Sequence, residues 1–190
     1  EVLFELGGFE IVRGVFISLA PHTHPTQIAV GNKAPRSWYF PYDFAAATDN
    51  NSLITVLCDA PISEIQQKYE GRWIPKTNDL EHVFVPIWEP VDAWYVMLLD
   101  VKASKIYALD VSRSPKSIVR RESNMNKINM FIHSRNIVNF CHTSPDPSNW
   151  GNYIYPEGLP KDLQSAESGL WCLSWLQHKG GFSTKIFCHI

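Results

Sequence analysis

The chain has 190 residues, 45% of them hydrophobic and 13% aromatic, enough for one domain with a sizeable core. Its formal net charge of −2 argues against a general nucleic-acid binder. No apolar run reaches membrane-spanning length, and the start has no signal-peptide pattern. We expect a single domain over residues 1–190, open to being the C-terminal part of a longer protein and located in the nucleus or cytoplasm. Cys58, Cys141, Cys172 and Cys188 lack CxxC or Cys/His zinc spacing, so the expectation is reduced thiols, no metal and no cofactor.

In chain order, "EVLFELGGFEIVRGVFISLA" (1–20) is apolar with a Gly-Gly break and reads as short strand or helix pieces. "APHTHPTQ" is a loop by its prolines. "SWYFPYDFAAA" (37–47) is an aromatic packing segment, expected as a short helix or turn. "SEIQQKYEGRW" reads as a short helix capped by Ser63 and stopped at Gly71. Three strands follow: "HVFVPIW" (82–88), "AWYVMLLDV" (93–101) and "KIYALDV" (105–111), rich in β-branched and aromatic residues and bounded by polar or proline breaks. "KAS" joins the last two as a hairpin. The strand at 93 is apolar on both faces, so it should be central and buried. Residues 116–140 have the pattern of a long amphipathic helix with Ile118, Ile128, Phe131, Ile132, Ile137 and Val138 inward. "YIYPEGLP" is extended. The last element is a helix starting near Ser168 and ending at Gly180-Gly181, with Leu170, Leu173, Trp175 and Leu176 on one side. The pattern is α+β.

Chemistry is expected where a helix N-terminus, "ESGLW", meets the start of the central strand, "VDAWYVMLLD", and the end of its neighbour, "YALDV". A nucleophile at a helix start gains from the dipole and the free backbone N–H groups. A base on one strand and an acid on the next would complete a triad.

The stretches "GFEIVRGVFISLAP", "PRSWYFPYDFA", "YEGRWIPKTNDLEHVFVPI", "AWYVMLLDVKASKIYALD" and "GLPKDLQSAESGLWCLSWL" together resemble, in order and spacing, the catalytic domain of Ulp1/SENP-type cysteine proteases. These process ubiquitin-like modifiers such as SUMO, and the likeness is nearest the plant, transposon-associated branch. The resemblance implies a papain-like fold of the Ulp1 type, a mainly antiparallel sheet flanked by helices. It also implies a triad. The family's His-Trp pair matches Ala93-Trp94, its Asp matches Asp110, seventeen residues after Ala93, and its Asp-Cys-Gly matches Glu167-Ser168-Gly169. The oxyanion Gln, six residues before the nucleophile, matches Asp162, with Gln164 two residues off register. His24 stands near the place of the tunnel Trp. Of the three triad positions only Asp110 is kept.

Serine is a weaker acid than cysteine and needs a base even more. Alanine supplies none, and a carboxylate at 162 would oppose a developing oxyanion. Loss of triad members costs orders of magnitude in rate. The resemblance therefore implies a pseudoprotease that works by protein binding, with a ubiquitin-like modifier as a candidate partner and Trp94 and Gly169 as candidate binding residues. Two alternatives stay open: an active SUMO- or ubiquitin-like-specific protease captured as a knockout, and a repurposed interaction or inhibitor protein. The plainer expectations are Ser168 as an N-cap or first-turn residue, Asp110 as a solvated or locally bonded strand-end residue and Trp94 as core. His82 is a weak stand-in base, His22 and His24 are loop residues, and Arg120-Arg121 is a solvated helix face.

Overall fold

In the computed structural model, residues 37–40, 44–46, 81–89, 93–134 and 150–177 are described. Their centre is the strand β4, Ala93–Asp100, seven of whose eight side chains are buried. An all-apolar run of this kind is stable only with both faces covered. It pairs antiparallel with β3 (His82–Glu89) on one side and with β5 (Lys105–Leu109) on the other. Two short strands, β1 (Ser37–Tyr39) and β2 (Ala45–Ala46), run parallel to β3 along its outer edge. β1 pairs with residues 82–84 and β2 with 87–88. Pro86, which has no N–H to give, falls in the interval between them.

The segment expected as a helix or turn at 37–47 thus supplies two strands. Its local pattern was overridden by pairing with β3 and by Trp38, Phe40 and Phe44, which all enter the core. The turn after β4 spans Val101–Ser104. Asp100 Oδ1 accepts the Ala103 N–H at 2.8 Å, and Ser104 takes a left-handed φ of 53°.

Helix α1 is Ile118–Ser134. It begins behind a reciprocal pair: the Ser114 N–H donates to Ser117 Oγ at 2.9 Å and the Ser117 N–H to Ser114 Oγ at 3.3 Å. Pro115 sits where its missing N–H costs nothing. The helix is shorter at its start than the expected 116–140, and Ile137 and Val138 lie outside the described residues. Met125, Ile128 and Ile132 pack on the sheet face formed by Tyr95, Met97, Leu99, Ile106 and Ala108. The opposite face, with Trp94, Val96, Leu98, Tyr107, Leu109 and Val111, is covered by α2, Ser165–Gln177, through Cys172 and Trp175. Residues 150–163 close the edge beyond β5. Ile154 bridges Tyr107 in parallel, and the Leu163 N–H donates to the Val111 carbonyl at 3.0 Å. The readings at 1–20 and 63–73 and the helix end at 180–181 lie outside the described residues.

Candidate functional site

The three positions matched to a triad converge on one end of the sheet, where β4 begins, β5 ends and α2 starts. Helix α2 starts at Ser165, three residues before the expected point. Gln164 is its N-cap, and Glu167 reaches back to accept the Gln164 N–H at 3.1 Å, half of a capping box. Ser168 lies in the first turn, its own N–H already donated to the Gln164 carbonyl at 3.0 Å. It shares its helix face with Cys172 and Trp175, all buried, while Leu170, expected inward, is 52% exposed. A serine on the apolar stripe needs a partner. It has one: Ser168 Oγ accepts the Trp94 backbone N–H at 3.0 Å. The β4–β5 ladder stops at Val96↔Leu109, so the Trp94 N–H lies beyond its last pair and the hydroxyl takes it up. The serine joins a helix to the central strand.

Trp94 is core, stacked on Trp88 with ring centroids 6.1 Å apart. Gly169 is buried within α2. Ala93, Ser168 and Asp110 are 0%, 0% and 1% exposed, so none of the three presents its side chain to solvent. Asp162 is exposed, in a left-handed conformation with φ 58°.

Asp110 is not solvated. Arg121 Nη1 donates to both of its oxygens at 2.9 Å, and Ser112 adds its N–H at 3.0 Å and its hydroxyl at 3.2 Å. Arg121 is itself 2% exposed, so only Arg120 fits the solvated face expected of the pair. The other side of the guanidinium meets Glu89, with Nε 3.3 Å from Oε2, and its carbon lies 5.1 Å above the Tyr95 ring. Glu89 also accepts from the Tyr95 hydroxyl at 2.9 Å, Asn124 Nδ2 at 2.7 Å and Arg120 Nη2 at 3.0 Å. Burial alone would lower the Arg121 pKa; Asp110 and then Glu89 outweigh it and hold the guanidinium charged. Burial, reinforced by Glu89, pushes the Tyr95 hydroxyl well up. Burial likewise pushes the Cys172 thiol well up, so it stays protonated and inert.

His82 cannot serve as a base at this end. It pairs with Asp100, whereas Ala93 pairs with Glu89, so it lies about 23 Å away along the sheet. His133 stands in the last turn of α1, about 18 Å along the axis from Arg121. The ion cluster escaped the sequence reading because its members are far apart in the chain. The one signal for it was an acid, Glu89, closing an otherwise apolar strand.

Neither a family model nor a curated protein sequence matches the chain. Solved structures do. SUMO protease Ulp1 with its catalytic cysteine oxidized to a sulfinic acid matches with a TM-score of 0.50 at 15% identity, covering 91% of this chain and 76% of that one. The Chaetomium thermophilum Ulp1-like SUMO protease catalytic domain matches with a TM-score of 0.50 at 12% identity, covering 87% and 58%. The chain has the Ulp1-type, papain-like α+β fold. The mainly antiparallel sheet between α1 and α2 is the core of that fold in this protein.

Proposed function

We propose that the chain is a Ulp1-like pseudoprotease that acts by binding protein rather than by cleaving it. One observation carries this reading: the position matched to the nucleophile is a fully buried serine whose oxygen accepts a backbone N–H from the strand that should carry the base. The position of that base is a buried alanine. A hydroxyl in this setting has no proton acceptor at position 93 and no route to a substrate carbonyl. A natural origin for both residues is supported by the further departures from the resemblance at Asp162, at Glu167 and at the place of the tunnel Trp, which two deliberate substitutions would not produce.

The partner class comes from the sequence resemblance, which is nearest the plant transposon-associated branch and makes a ubiquitin-like modifier the first to test. Because the triad positions are closed, binding uses the exposed surface around the start of α2, where Asp162 and Leu170 lie. The test has two arms. Unaltered protein is incubated with SUMO and ubiquitin C-terminal fusions, and no cleavage above buffer is expected; turnover would end the proposal. Binding of the free modifiers is then measured by calorimetry with Asp162→Lys and Leu170→Asp as probes. Affinity lost in both variants supports a modifier as the partner, and the absence of binding removes it.

A further inference from the structure

Positions 93 and 168 carry the reading above, whereas Asp110 keeps the residue that the resemblance expects and is held by contacts of its own. Building on the assignment of positions 93, 110 and 168 above, we propose that Arg121 is a positioning residue that holds Asp110 in a buried ion cluster. A histidine returned to position 93 would then not rebuild an Asp–His pair.

Arg121 is held from both sides. Nη1 lies 2.9 Å from each Asp110 oxygen, and Nε lies 3.3 Å from Glu89 Oε2. Glu89 is in turn fixed by Tyr95, Asn124 and Arg120. The guanidinium cannot leave Asp110 without giving up contacts to β3, β4 and the β5 end together. Glu89 stands directly opposite Ala93 in the ladder, so the two side chains emerge on one face, toward α1, with Tyr95 two residues on. A side chain grown from Ala93 starts beside Glu89 on the face that carries this cluster. The two carboxylates there, Glu89 and Asp110, already hold the Arg121 guanidinium, so neither is free to stabilise the imidazolium that a catalytic dyad needs. The charges show why the arrangement persists. Glu89 and Asp110 are buried, Arg121 is buried between them, and Arg120 shares Glu89 from a side chain 48% exposed. Two acids are balanced by two bases, and removing Arg121 leaves Asp110 with only Ser112 among its described partners.

Two measurements test this. The first is a double-mutant cycle of Arg121→Met and Asp110→Asn read by urea unfolding. Arg121→Met is expected to cost at least tenfold more in the unfolding equilibrium constant when Asp110 is present than in the Asp110→Asn background. Equal costs, within twofold, would overturn the proposal. The second is the NMR titration of the imidazole in Ala93→His. With Arg121 in place its pKa is expected at or below the ordinary value of about 6.5. With Arg121→Gln added it is expected to rise by about one unit or more, a response that a merely structural arginine would not produce. A histidine that titrates a unit or more above the ordinary value while Arg121 is present would overturn the proposal. The cycle leaves position 93 untouched, so it decides the matter even where Ala93→His does not fold. Neither measurement uses protease activity, so cleavage by the unaltered protein would remove the pseudoprotease reading and leave these results to stand separately.

Discussion

The two faces of the central sheet solve the same packing problem with different chemistry. Toward α2 the contact is Trp94, Val96, Leu98 and Leu109 against Cys172 and Trp175, and a polar link to the helix is the Ser168–Trp94 bond. Toward α1 a similar apolar patch of Met97, Leu99, Met125, Ile128 and Ile132 is bordered at one end by Glu89, Arg121, Asp110, Tyr95 and Asn124. The difference shows how each face holds a buried polar group. A single small hydroxyl is absorbed by an apolar face through one hydrogen bond. A carboxylate is retained only when a buried countercharge and further donors come with it.

The sharpest way to break this contrast is at Arg121. Arg121→Met leaves two buried carboxylates short of their cation and is expected to cost about 3–5 kcal/mol in denaturant unfolding. A loss under 1 kcal/mol would mean the cluster is solvated. On the apolar face, Trp175→Ala is expected to cost about 3–5 kcal/mol through cavity formation, but with no dependence on salt; a salt-dependent loss would count against the division between the faces. Ser168→Ala removes the acceptor from the buried Trp94 N–H and should cost about 1–3 kcal/mol, whereas Ser168→Thr keeps the oxygen but adds a methyl to a closed site. An alanine variant as stable as the parent would show the bond to be incidental.

Alkaline pH separates the faces differently. Tyr95 on one and Cys172 on the other both bind their protons more tightly folded than unfolded. Their contribution is therefore complete below the ordinary values, 9.0 for the thiol and 10.0 for the phenol, and declines as pH rises past them. Unfolding midpoints from pH 7 to 11 should fall first above about pH 9, and Cys172→Ala should remove that earliest part of the decline. An unchanged profile in this variant would assign the fall to other groups. The smallest effects belong to exposed positions. Arg120→Ala, next to Arg121 but half exposed, should cost only about 0–1 kcal/mol, and Ser104→Gly at its left-handed φ should gain about 0.5 kcal/mol by relief of the turn. An Arg120 loss as large as that at Arg121 would erase the distinction between the two neighbours.

Much of this was legible in the chain. Residues 82–111 announce three strands because each is a short β-rich run between breaks, and the hairpin needs only local information. The antiparallel centre and the burial of both faces of β4 follow from order and alternation. The grouping of positions 93, 110 and 168, and the reading of Ala93 as the place of a base, came from the family resemblance. Tertiary structure decided the rest. The aromatic segment at 37–46 became two strands because β3 offered it unpaired edge groups. Ser168 became a strand anchor through a bond to a residue 74 positions away. Arg121 became core because Asp110, 11 residues back, and Glu89, 32 back, face it across packed elements. An isolated Arg-Arg step in an amphipathic helix carries no sign of this. Whether its charge meets water or two buried carboxylates depends on what the folded sheet places opposite it.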